Sequence, residues 1–320
     1  MSGKKMLRTW LSVVLFLSFF HVVSAQIQWE TNPRQALQKA RQTNKQLLIY
    51  FFTEKARDCK KYEQQTFKNP RVVEFLNENY VCMTAHAARN RNIASYFGVI
   101  KVPAILIIDH NGHEYLRIIT YYPPDKFVQS LSQSVNYARG DSATPKKPSK
   151  SVKAQNALYY QPFENLSGWG NEGSTEGAMA QIGLVPGVQG NAFRIDYELV
   201  LGEFNYVQVH TNVGGIPLPQ KFNLSFHVAG TGGRNKLDIK FADNDGTNYG
   251  CSIMIPTDNK PHKYTMTSED IGYLWGGEDK VLNNLSVFHI AVTSENYNNP
   301  DSSQSKGVVY IDELVVTPAN

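Results

Sequence analysis

Three cysteines are the strongest nucleophiles in this 320-residue chain: Cys59, Cys82 and Cys251. Cys59 stands at a predicted helix start among Lys55, Arg57 and Lys60. Those cations and the helix N-terminus favour a thiolate, while Asp58 opposes it. Cys59 is therefore the candidate thiol. Cys82 on a predicted strand, and Cys251 on the strand face of Tyr249 and Ile253, read as small apolar core residues. Three cysteines allow at most one bridge, so the chain is no disulfide scaffold.

A second group of residues could hold a ligand rather than transform one. Val207 and Val209 alternate with Tyr206, Gln208 and His210, so valines facing a core turn the other three outward. The same rule turns out Ser225 and His227, Asp238 and Lys240, and Asn248, Ser252 and Met254. Where such strands adjoin they make one polar face on which Tyr206 can stack a sugar ring. Tyr273 and Trp275, in a glycine-flanked loop, would rim it, and Trp169 reads as core beside the first strand. The candidate ligand set is Tyr206, Gln208, His210, Asp238, Lys240, Tyr273 and Trp275. Asp238 and Lys240 offset each other, which favours a neutral polysaccharide. Two outward histidines also raise a metal reading, which needs a third ligand that the sequence does not place.

Hydrolytic motifs are absent. No Gly-x-Ser-x-Gly, His-Glu-x-x-His or phosphate loop occurs. A glycosidase needs two carboxylates at a set separation, and none can be paired from one sequence. A non-enzymatic protein is the expectation.

The elements that must position these residues fall into two halves. Lys4, Lys5 and Arg8 precede the apolar run Leu11–Phe20 and the small-x-small Val23-Ser24-Ala25. Residues 1–25 thus read as a secretory signal peptide, and the expected location is secreted or periplasmic. Without those three cations, 29 basic residues face 28 acidic ones. Nothing calls for nucleic acid, and after cleavage no run is long enough to span a membrane. Residues 26–138 give the order α-β-α-β-α-β-β-α, with buried strands at Leu47–Phe52 and Ala104–Ile108. Residues 139–158, with Pro145, Pro148 and an Arg139-Gly140-Asp141 tripeptide, read as an exposed linker. Residues 159–320 switch to period two in short strands between Gly, Asn, Asp and Pro turns, the pattern of an all-β jelly-roll sandwich.

Each half resembles a known family. Trp29, Ala36-Leu37-x-x-Ala40, Asn44-Lys45-Gln46, Cys59-Lys60-Lys61-Tyr62-Glu63, Thr66-Phe67 and Gly98-Val99-x-x-Val102-Pro103 resemble the exported thioredoxin-like proteins. The resemblance implies a cis-proline at Pro103 and a Cys-x-x-Cys site whose second cysteine is Cys59. Its first position is then Ala56, so the attacking thiol is missing. Exchange needs one thiolate to attack and another to resolve, so dithiol chemistry should be lost. Docking of an extended peptide beside Val102 and Pro103 stays open.

Phe163-Glu164-Asn165 with Trp169, Gly190-Asn191-Ala192-Phe193-Arg194-Ile195, Tyr206-Val207-Gln208-Val209 and Val309-Tyr310-Ile311-Asp312-Glu313-Leu314 resemble the galactose-binding-like sandwiches. Among these the pieces look most like family 11 carbohydrate-binding modules and complex I intermediate-associated protein 30 domains. That resemblance implies a structural calcium held by Glu164 and Asp312. The expected function is an exported, non-catalytic binding protein, in which a redox-inactive thioredoxin-like domain is tethered to a glycan-binding sandwich. A single-cysteine thiol protein acting through Cys59, and a protein-binding adaptor, are the other readings.

Overall fold

A computed structural model describes residues 26–109, 111–138, 156–200, 204–294 and 305–319. The expected signal peptide and nearly all of the expected linker, with its Arg-Gly-Asp tripeptide, lie outside them. Among the described residues no helix is long and apolar enough to cross a membrane.

The first half runs β1 (Trp29–Glu30), α1 (Pro33–Thr43), β2 (Gln46–Phe52), α2 (Arg57–Lys61), a π-helical turn (Tyr62–Thr66), α3 (Pro70–Asn79), β3 (Tyr80–His86), α4 (Arg91–Tyr96), β4 (Ala104–Ile108), β5 (Glu114–Ile118) and α5 (Pro124–Ala138). Local chemistry sets the helix ends. Asn32 and Asn69 accept backbone N–H bonds at the starts of α1 and α3, each with proline at the first helical position. Asn44 closes α1 in the left-handed conformation at φ 51°. The sheet order β1-β3-β2-β4-β5 buries apolar residues on both faces, against α3 and α5 on one side and α1 on the other. The Val102–Pro103 peptide bond is cis.

The second half is built of strands, with one 3-10 turn (Ser268–Asp270) after β14: β6 (Tyr159–Gln161), β7 (Gly170–Ser174), β8 (Met179–Pro186), β9 (Asn191–Glu198), β10 (Tyr206–Pro217), β11 (Phe222–Gly232), β12 (Asn235–Ala242), β13 (Asn248–Met254), β14 (His262–Thr267), β15 (Gly272–Trp275), β16 (Asn284–Ser294) and β17 (Lys306–Pro318). One sheet runs β8-β9-β17-β11-β14, with β6 also on β17; the other runs β15-β13-β12-β16-β10-β7. Between them lies one apolar core including Trp169, Phe193, Phe226, Phe241 and Phe288. The architecture is an α/β thioredoxin-like fold followed by an all-β jelly-roll sandwich.

The two halves share a sheet. Strand β5 pairs antiparallel with β8, Leu116 opposite Gly183, Arg117 opposite Ile182 and Ile118 opposite Gln181. The edge that a thioredoxin-like sheet would leave unpaired is thus closed by the sandwich, and eleven strands form one sheet. Arg117 ties the seam. It is buried, makes a two-point ion pair with Glu114 at 2.6 Å, and donates to the carbonyls of Phe97 and Trp169. Gly98, at φ 58°, lies so close to the Gly168 backbone that a side chain would collide with it. Two folds joined by an exposed linker, as the sequence reads, leave this seam open.

Candidate functional site

Position 56 is the N-cap of α2, in extended conformation, and Ala56 offers no side chain to cap it or to attack a disulfide. Cys59 follows on the first turn, fully buried, and its carbonyl accepts from the Tyr50 hydroxyl at 3.2 Å. Burial pushes its thiol up, the reverse of what a nucleophile needs. Of the cations expected to favour a thiolate, Arg57 is committed elsewhere. Arg57 reaches across to Glu176 of the sandwich, and Lys61 pairs with Asp58 at 3.1 Å. Cys82 and Cys251 pack with the two cores, and all three thiols are free.

The polar face forms on the six-stranded sheet. Val207 and Val209 are buried in the core. Their neighbours Tyr206, Gln208 and His210 stand on the outer side. Strand β16 lies between β10 and β12, so Gln208, Ala291, Asp238 and Ser252 align in one row across four strands. His210, His289, Lys240 and Gly250 align in the next. A hydrogen-bond chain crosses the rows. Lys240 donates to Gln208 Oε1 at 2.8 Å, passing over the small Ala291, and Gln208 Nε2 donates to Glu172 Oε2 at 2.6 Å. Asp238 accepts from Ser252 at 2.6 Å and Thr293 at 3.2 Å.

Two aromatic groups flank this floor. The Lys240 ammonium lies 5.5 Å from the centre of the Trp275 ring, which is 50% exposed. At the other end Tyr206 lies over Gly173 and 5.6 Å from the exposed Phe204 ring. Tyr273 does not share the face of Trp275. It packs edge-on against Tyr249, whose ring lies on the core. A register shift between Asn248 and Tyr249 separates their orientations. Trp169 is core. Ser225 and His227 lie on β11 in the other sheet and do not join the face.

Sequence reasoning missed His289 and Glu172. Phe288, Ile290 and Val292 point into the core, so His289, Ala291 and Thr293 point out. That alternation was present, but the apolar stretch around His289 masked it. Glu172 sits in the glycine-rich β7, which has no apolar alternation to read. The Glu172 carboxyl is held down to about 2: burial opposes this, and its bonds to His289 and Gln208 outweigh burial. The thioredoxin-like half walls this end. Ile100 sits where a side chain on Gly170 would be, and Lys101 donates to the Glu172 carbonyl at 2.6 Å.

Glu164 and Asp312 meet where the sandwich opens and closes, around the turn at Gly187–Gly190. Asp312 Oδ2 accepts from Val188 N–H at 2.7 Å and Gln189 N–H at 3.2 Å, and Glu164 Oε2 accepts from Asn191 at 3.1 Å. Gly190, at φ 67°, leaves room for the Glu164 carboxylate. Glu164 Oε1, Asn191 Oδ1 and Asp312 Oδ1 are buried and have no hydrogen-bond donor. Three orphaned hard oxygens at one turn fit the calcium that the galactose-binding-like resemblance implies.

Comparison with known proteins agrees with the first half of this picture. A family model described as a thioredoxin-like domain matches residues 33–134. The thiol:disulfide interchange protein DsbD of Haemophilus ducreyi is 30% identical over 94 residues, which cover 28% of this chain and 16% of that protein. The match therefore spans less than a fifth of that relative's length. Among solved structures, a thioredoxin from Thermus thermophilus is 20% identical, covering 34% of this chain and 87% of its own, at a TM-score of 0.32. The family 11 carbohydrate-binding module of a cellulosomal cellulase from Clostridium thermocellum is 17% identical, covering 51% of this chain and 96% of its own, at a TM-score of 0.39.

Proposed function

We propose that the chain is an exported, non-catalytic glycan-binding protein whose sandwich carries the site and whose thioredoxin-like half, without dithiol chemistry, mounts it. The observation that carries this reading is the outer face of the six-stranded sheet. It offers a hydrogen-bonding floor of Gln208, Asp238, Lys240 and Ser252 between the exposed Trp275 and the half-buried Tyr206. Sugars need both features, an aromatic plane for C–H stacking and fixed polar groups for hydroxyls. Strand-borne side chains already joined by hydrogen bonds lose little freedom on binding. The floor is open, so water is poorly excluded and affinity should be modest. Lys236, Lys240 and Lys101 stand against Asp238 and Glu172 there, a near balance of charge that a neutral polysaccharide fits best.

Structural calcium at Glu164, Asn191 and Asp312 belongs to the same reading. It would tie the opening segment to the last strand and supply the charge that the buried Asp312 carboxylate lacks. The thiol reading is weaker, because Cys59 is buried and its thiol is raised rather than lowered. A glycan array probed with the purified full chain tests the proposal. Binding to neutral polysaccharides supports it, and an array without any bound glycan moves the protein-adaptor reading into first place.

A further inference from the structure

We propose a transition-metal site of the zinc class on the sheet face, held by Glu172, His210 and His289 from three neighbouring strands. The three residues come together through tertiary pairing alone. His210 and His289 are directly opposite each other on β10 and β16, and β7 carries Glu172 along the other side of β10. Their ligand atoms lie within 4.8 Å of one another. Both imidazoles turn the same nitrogen to the same oxygen. His289 Nδ1 touches Glu172 Oε2, and His210 Nδ1 stands 3.7 Å from it.

The second observation is the state of those nitrogens. His289 is only 5% exposed, yet its Nε2 has no hydrogen-bond partner and its Nδ1 has only the Glu172 carboxylate, while His210 Nδ1 has no hydrogen-bond partner. Two imidazoles crowded on one carboxylate, with two ring nitrogens left unpartnered, are costly in a protein interior unless something binds them. Two imidazoles and one carboxylate are a ligand set for zinc-class ions, with positions left for water or a ligand. Calcium, which prefers oxygen, does not suit it.

The cations nearby have other partners. Lys240 is bonded to Gln208 and lies over Trp275, and Lys101 is bonded to the Glu172 carbonyl. Gln208 donates to Glu172 Oε2 and so orients the carboxylate, as an outer-shell residue does at metal sites. Lys101 and Ile100 come from the thioredoxin-like half, so the seam between the halves fixes the position of β7 and of its metal ligand.

The test uses the full-length chain, freed of metal by chelation, and zinc alone, so its outcome does not depend on any glycan. Calorimetry should show one zinc bound per chain with a rise in melting temperature. A large excess of calcium should not displace it. Cobalt in place of zinc should give the visible absorption of a nitrogen-containing site. Glu172→Gln, which keeps shape, and His210→Ala, at a half-buried position, should each weaken zinc by more than about 10-fold, the least that even outer-shell changes cost at such sites. Melting of the metal-free variants shows whether each folds, and Glu172→Gln decides alone if His210→Ala does not. His262→Ala, at an exposed histidine paired with Asp258, should bind like the parent. No zinc binding by the parent overturns the proposal. So does binding that Glu172→Gln leaves unchanged, which would put the ion elsewhere, for example at Asp243, Asp245 and Asp279.

Discussion

The guanidinium of Arg117, on the last strand of the thioredoxin-like sheet, donates to the carbonyl of Trp169 in the core of the sandwich. One buried cation thereby serves both halves, since it also pairs with Glu114 at 2.6 Å. Replacing it leaves a buried carboxylate and two carbonyls without a donor. Arg117→Leu should therefore cost about 3–5 kcal/mol in urea denaturation, the range for breaking a buried pair. Glu114→Gln in the same chain should recover part of the loss. A cost below about 1 kcal/mol, typical of an exposed pair, would show that the seam contributes little.

Ala56 fixes the redox behaviour. With dithiothreitol as reductant, the wild-type chain should reduce insulin no faster than dithiothreitol alone, because nothing at position 56 can attack a disulfide. Ala56→Cys places a thiol at the N-cap of α2, three residues before Cys59. Oxidation of that variant should remove two thiols from alkylation, and dithiothreitol should restore them. Turnover by the wild-type chain would mean that buried Cys59 becomes accessible.

What the sequence revealed and what it hid follow from the range of the interactions. Period-two alternation is local, so the outward positions of Gln208, His210, Asp238 and Lys240 could be read from single strands. Strand neighbours are not local. Nothing within β10 announces that β16 and β7 flank it, so the meeting of His210 with His289 and Glu172 was hidden. Equally, nothing within β11 announces that Ser225 and His227 lie in the opposite sheet. The pairing of β5 with β8 joins residues more than sixty positions apart. The Trp275 and Tyr273 orientations were lost to a bulge, which shifts alternation by one residue. A helix cap, by contrast, acts within one turn, as Asn32 does at the start of α1.

Asp312 gives a pH signature. Burial, against the N–H groups of Gln189 and Val188, pushes its carboxyl from 3.8 up to about 6. The folded chain keeps the proton where the unfolded chain has released it. Stability from this group is thus present below the unfolded value, falls as pH rises between about 4 and 6, and is gone above that. In chelator, the melting temperature of wild type should drop across this window more than that of Asp312→Asn, which has no proton to lose. Calcium at neutral pH should restore the wild type and leave the variant unchanged. Parallel pH profiles for the two chains, or no calcium effect, would remove Asp312 from the metal site.

Affinity electrophoresis through a gel containing a soluble β-glucan tests the binding face most directly. The full-length chain should be retarded relative to the same gel without polysaccharide, with little dependence on salt, because the face is nearly charge-balanced. Trp275→Ala and Tyr206→Ala should each lose most of the retardation while keeping the melting temperature, since both rings flank the floor rather than fill the core. If both variants are held back as strongly as the parent, the outer face of the six-stranded sheet is not where the glycan binds.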